Sequence, residues 1–193
     1  MFPIEPAARL AEQAFGIHGT ISLLYSERDQ NFRMAGGAQG DFVLKISNAA
    51  EDPDLVAAQI AALEFLARTA PDLPLPRVRR TLAGDAQIDL AGEDGARHAT
   101  FALTYLPGQI ASDCPLGPDE FHRIGRMIAR VERGLRGFFH RALGDQPCCG
   151  TSGNWGNCGR NASTSGQMPP VSAIFWVRSR RPCPAGWTAW PPK

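Results

Sequence analysis

Phe42-Val43-Leu44-Lys45-Ile46-Ser47 is an apolar run with a charge in its middle. Alternation along a strand puts Phe42, Leu44 and Ile46 on one face and Val43 and Lys45 on the other. The ammonium therefore projects from a half-buried surface rather than from a turn. Burying such a charge without a partner is very costly. Two roles satisfy it: holding phosphate oxygens, or snorkelling to water from an edge strand.

The flanking sequence supplies a sheet for this strand. Upstream, Pro6 to Gly16 reads as a helix with proline near its start and glycine just past its end. Ile17 to Tyr25 is rich in apolar and β-branched residues and predicts a strand. The polar stretch Ser26-Glu27-Arg28-Asp29-Gln30-Asn31-Phe32 must turn the chain into a second strand near Asn31 to Met34. Ala35 to Gly40 is turn material that leads into the lysine strand, giving three antiparallel strands.

Downstream, Glu51-Asp52-Pro53-Asp54 places acids and a proline where a helix begins, and the helix should run to about Arg68. The helical period groups Leu55, Gln59, Leu63 and Leu66 on one stripe, with Ala58 and Ala62 beside them. Glu64 falls roughly a hundred degrees off that stripe. Pro71, Pro74 and Pro76 enforce an extended connection; Arg77 to Leu82 and Gln87 to Leu90 are short strand candidates, and Arg97 to Leu106 is a clear strand. A second long helix spans Asp119 to Phe138, with Phe121, Ile124, Ile128, Val131 and Leu135 at helical spacing and arginines between them. Hairpin-connected strands with an inserted helix define an α+β layer.

Composition narrows the function classes. The 193 residues are 44% hydrophobic, enough for a core, and the net charge of +1 makes no electrostatic case for nucleic acid or an anionic membrane. The start lacks the basic and apolar regions of a signal peptide, and no apolar run reaches membrane-spanning length. The expected location is the cytoplasm, where structural disulfides are rare. The average charge conceals a break. From Pro147 onward there is no Asp, Glu or Leu, while four Trp, four of five Cys and five basic residues gather there. Those five, taken from the chain's 20, leave 15 basic against 19 acidic side chains in residues 1–146, a net of −4.

Three motifs in order, Ser26 to Phe32, Phe42-Val43-Leu44-Lys45-Ile46-Ser47-Asn48 and Leu103-Thr104-Tyr105-Leu106-Pro107-Gly108, closely resemble the small lobe of the aminoglycoside phosphotransferase and choline kinase superfamily. The pattern is most similar to hydroxylysine kinases and to the kinase-like domain at the front of certain class III aminotransferase fusions. The resemblance spans roughly residues 5 to 146. It implies a protein-kinase-like fold that binds ATP or GTP with Mg²⁺ and passes the γ-phosphate to a hydroxyl of an amino-containing small molecule. Lys45 would hold phosphate oxygens. Ser26, Asp29, Gln30, Asn31 and Phe32 would belong to the hairpin covering them, without a protein kinase's glycine-rich pattern. Thr104, Tyr105 and Leu106 would form the hinge that meets the base. An acid on the following helix normally holds such a lysine; Glu64 has the right charge on the wrong face, and Gln59 the right face but only an amide oxygen to offer.

The implied domain plan is a nucleotide-binding small lobe over residues 1–107, a linker and first helix of an incomplete large lobe over 108–146, and an irregular tail over 147–193. The family's His-Gly-Asp segment, downstream asparagine and metal-binding aspartate find no match, because His140-Arg141-Ala142-Leu143-Gly144-Asp145 has the wrong spacing. This predicts that the chain alone does not transfer phosphate. A non-catalytic nucleotide-binding or interaction module and the front piece of an aminotransferase fusion are the competing readings.

Cys148, Cys149, Cys158 and Cys183 with His140 lack paired metal-ligand spacing and argue against zinc. Asn161-Ala162-Ser163 matches a glycosylation acceptor without a secretory context. A shifted reading frame accounts for the tail better. Taking the last base of each codon with the first two of the next turns Cys148–Cys149, Asn154–Trp155 and Asn157–Cys158 into leucine for any synonymous codons, and Trp155–Gly156 into glycine.

Overall fold

The computed structural model describes residues 1–108, 114 and 116–144. The first helix, α1 (Ile4–Phe15), follows Pro3 and stops where Gly16 takes a left-handed φ of 64°. The Gly16 N–H donates to the Glu12 carbonyl at 3.0 Å, the bond of an αL cap, and the Ile17 N–H donates to the Ala11 carbonyl at 3.1 Å. The cap reverses the chain so that Ile17 returns to the same core as Ala7, Ala11 and Phe15.

Strands β1 (Thr20–Leu24), β2 (Gln30–Ala35) and β3 (Asp41–Ile46) form the expected antiparallel meander. The remaining strands are β4 (Val78–Arg79), β5 (Ile88–Ala91) and β6 (Arg97–Thr104), making a six-stranded sheet. The long strand β6 lies against β3 on one side and carries both β4 and β5 end to end on the other. Lys45 is thus on an interior strand, paired with Asn31 of β2 and Phe101 of β6. That placement removes the edge-strand alternative for the lysine, since both ladders beside it are occupied.

The alternation read from the sequence holds. Phe42, Leu44 and Ile46 join Phe32, Met34 and Ala102 in a core closed by α1. On the opposite face, Ala99 and Phe101 pack against Val56 and Ile60 of α2 (Pro53–Thr69). We call this the inner face; Lys45 lies on it. The protein-kinase-like α+β arrangement predicted from the motifs is therefore the one observed.

Asp52 caps α2 by accepting the Asp54 N–H at 2.9 Å, with Pro53 in the first turn. The buried stripe differs from the expected one by a residue: Val56, Ala58, Ile60, Leu63 and Leu66 are buried, while Leu55 and Gln59 are only half-buried. A single-face reading fails because α2 is covered on two sides. Val56 and Ile60 meet the sheet, whereas Leu66 packs with Leu73, Leu75 and Val131.

Val131 comes from α3 (Pro118–Gly134), which ends four residues before the expected Phe138. The glycine at its end sets the approach to α2. A Cβ on Gly134 would stand 2.8 Å from the Leu66 Cδ2 and 3.2 Å from the Ala70 Cβ, and the Thr69 hydroxyl donates to the Gly134 carbonyl at 2.8 Å. Only the last turns of α3 dock in this way, and Phe121, Ile124 and Ile128 remain exposed. The short α4 (Arg141–Gly144) returns to the start of α2 through an Arg141–Asp54 ion pair at 2.7 Å. The tail and the sequence arguments about its cysteines, glycosylation motif and reading frame lie outside the described residues.

Candidate nucleotide-phosphate site

Lys45 reaches the inner face with 13% of its side chain exposed and forms an ion pair with Asp29. The Asp29 carboxylate is held at a second point, its Oδ1 accepting the backbone N–H of Asn48 at 3.0 Å. Asn48 in turn donates its side-chain amide to the Arg28 carbonyl at 3.3 Å. The turn between β1 and β2 is thereby tied to the end of β3, next to the lysine. An ammonium has three donor directions, so this ion pair leaves donors free for a further anion.

Beside Lys45 on β2, Asn31 is buried at 7% exposure with its amide oxygen unpartnered. The Ser47 hydroxyl, just past the end of β3, is also buried without a partner. Buried polar atoms in folded proteins are nearly always satisfied, so two such atoms flanking one lysine call for an explanation.

Strand parity divides the polar hairpin in two. Asp29 meets Lys45 directly, and Asn31 shares its face. Phe32, by contrast, is fully buried in the outer core, and Gln30 binds the chain's start, donating to the Phe2 carbonyl at 2.7 Å and accepting the Phe2 N–H at 2.8 Å. Ser26 is half-buried nearby in sequence and makes no side-chain hydrogen bond among the described residues. The expected cradle of five side chains is thus reduced to an inward-facing pair and an outward-facing pair with structural duties.

The helix does not supply the lysine's acid. Glu64 is engaged by Arg80, and the half-buried Gln59 has no side-chain hydrogen bond among the described residues. The carboxylate that pairs with Lys45 lies in the hairpin, where Asp29 falls one residue before the Gln30–Ile46 pair that places it beside the end of β3. Only the register reveals this.

At the hinge, the Thr104 N–H donates to the Arg77 carbonyl at 2.9 Å and the Tyr105 N–H to the Asp41 carbonyl at 2.8 Å. The Thr104 hydroxyl also accepts the Arg77 N–H at 2.8 Å. Of the three residues expected to meet a base, Leu106 alone keeps its N–H out of these bonds. A cluster that the sequence did not suggest adjoins the hinge: Arg33 donates through Nε to Asp41 at 3.0 Å and lies 4.3 Å from the centre of the Tyr105 ring. Its hydrogen bond to Asp41 raises the Arg33 pKa above the ordinary guanidinium value, against the opposing effect of burial. Among the described residues no three His, Cys, Asp or Glu side chains converge as a metal site, and no helix is long and apolar enough to cross a membrane.

This sheet, with a lysine on its interior third strand, defines the class as kinase-like. Solved structures share the fold: an amicoumacin kinase in complex with AMP-PNP and Ca²⁺ superposes with a TM-score of 0.58 at 9% identity, over 72% of this chain and 42% of that one. A microcompartment-associated aminopropanol kinase gives 0.56 at 16% identity, with the same coverage of each chain. Residues 20–152 match the Phosphotransferase enzyme family, and the chain belongs to that family. It is 31% identical over 150 residues to hydroxylysine kinase of Bos taurus, covering 71% of this chain and 39% of the relative, and 32% identical over 157 residues to that of Mus musculus, covering 74% and 41%. The chain spans about two-fifths of the length of the curated relatives it matches.

Proposed function

We propose that the inner face of the sheet binds the phosphates of a nucleoside triphosphate, with Lys45 as their cation. The single observation that carries this reading is the Lys45 ammonium itself, nearly buried on an interior strand with donor directions left over beyond its ion pair with Asp29. A fold optimised only for stability would place apolar residues there. A nucleotide fits these residues. Lys45 would meet phosphate oxygens, Asn31 would donate an amide N–H to them, and Leu106 would offer its N–H to the base. ATP and GTP are both compatible with this backbone-centred contact.

In the whole family member, the bound triphosphate supplies the transferable phosphoryl group, and catalysis is chiefly positioning and charge stabilisation. This chain's own residues account for the positioning of the donor. By likeness to the hydroxylysine kinases, the acceptor would be a hydroxyl on an amino-containing small molecule. Base and Mg²⁺ ligands have no counterpart among these 193 residues, so we assign no metal-dependent step to them. By themselves they would bind nucleotide without transferring phosphate.

The tail reading stands beside this. Residues 147–193 would be a stretch read out of frame, and the family match ending at residue 152, close to the compositional break, supports it. The gene's nucleotides test it: an immediate stop, or the absence of an amphipathic helix, in the alternative frame would end the idea.

For the site, calorimetric titration of the full chain with ATP, GTP and ADP should show binding that Lys45→Ala abolishes, with no phosphate transferred to hydroxylysine. Turnover by the chain alone would refute the non-catalytic part. Unchanged binding in Lys45→Ala would refute the site.

A further inference from the structure

The acid that normally orients a phosphate-binding lysine is expected on the helix after the strand, yet here that helix has no free acid to give. Glu64 is committed to Arg80, Gln59 is uncharged, and the carboxylate on Lys45 is that of Asp29, from the turn between β1 and β2. We propose that Asp29 is the positioning residue of Lys45, so that the hairpin which covers the phosphates also sets the cation that binds them. This rests on the reading of Lys45 as a phosphate ligand.

The geometry suits the role. One carboxylate oxygen is fixed by the Asn48 N–H at 3.0 Å, and the other faces the ammonium. Asn48 returns a bond to Arg28 at 3.3 Å, closing a small ring of contacts between the turn and the end of β3. Asp29 is therefore held independently of the lysine it holds. Two-point anchoring of this kind fixes a side chain before ligand arrives, which reduces the ordering cost of binding. The position of α2 is then uncoupled from Lys45, and ordering of the hairpin is coupled to it instead.

The variant Asp29→Asn is informative because its amide oxygen can still accept the Asn48 N–H, so the turn keeps its tether and only the counter-charge is lost. Removing a negative charge near the phosphates would, on electrostatics alone, tighten nucleotide binding. Positioning predicts the opposite sign. The full chain should bind ADP about tenfold more weakly in Asp29→Asn, the factor of one charge-assisted hydrogen bond. Binding of adenosine, which has no phosphate, should be unchanged, and Glu64→Gln should alter neither.

Unchanged or tighter ADP binding in Asp29→Asn would overturn the proposal, as would an equal loss for adenosine, which would mark a merely structural role. If Lys45→Ala leaves ADP binding intact, the phosphate reading itself fails. Labelling of Lys45 by an amine-acylating reagent, read by mass spectrometry without any nucleotide, then still decides on the pair. Asp29→Asn should change the labelling rate several-fold and Glu64→Gln should not; equal rates in all three proteins would overturn the assignment of Asp29.

Discussion

Replacing Asn31 with leucine should make the protein more stable and its phosphate site worse. Asn31 is 7% exposed, sits between Leu24 and Lys45 in the sheet register, and leaves its amide oxygen without a partner. A buried polar group left unsatisfied costs about 1–3 kcal/mol, and leucine has the same branched shape without that cost. Part of the gain is lost to the larger methyl groups, so a net stabilisation of about 1–2 kcal/mol is expected. For a domain of this size that corresponds to a rise in Tm of about 2–8 °C. Thermal unfolding of the full chain followed by circular dichroism, checked by urea midpoint, measures it. ADP titration of the same variant should show weakened binding. A fall in Tm in both Asn31→Leu and the smaller Asn31→Val would refute the reasoning, because it would mean the amide is anchored within the fold.

The hinge and the helix contact offer sharper contrasts. Leu106→Pro removes the N–H assigned to the base while leaving the Tyr105–Asp41 bond in place. It should weaken ATP and adenosine alike, by about fivefold to tenfold for one neutral hydrogen bond, and unchanged adenosine binding would exclude Leu106. In α3, two glycines should respond to alanine with opposite signs. Gly125 has open space around it, so Gly125→Ala should stabilise the chain by up to about 1 kcal/mol in urea melts. Gly134→Ala would drive a methyl against buried Leu66 and half-buried Ala70 and should destabilise it by about 1–2 kcal/mol.

The strand containing Lys45, its two faces and the meander around it were legible in the sequence because period-two alternation and turn residues are local signals. The first helix was legible for the same reason, since Gly16 can take the left-handed cap conformation that Phe15 cannot do cheaply. The second helix was legible in extent and misread in phase. Its sequence shows one apolar stripe, but burial on a helix is decided by every element that covers it, and the partners of Leu66 are Leu73 and Leu75 just past the helix and Val131, distant in the chain.

By itself the sequence determined that a lysine stands on an apolar strand, that a polar hairpin precedes it, and that a later strand ends at a Pro-Gly pair, because residue type and spacing are enough for each. Tertiary structure alone decided which acid meets the lysine. The resemblance to kinases pointed to the following helix, with Glu64 and Gln59 as the positions on offer, but a carboxylate pairs with whatever cation the folded chain brings within reach. Strand register brings Asp29 to Lys45 and leaves Glu64 to Arg80. Register links residues by space across two turns of chain, and no local pattern in the sequence encodes that distance.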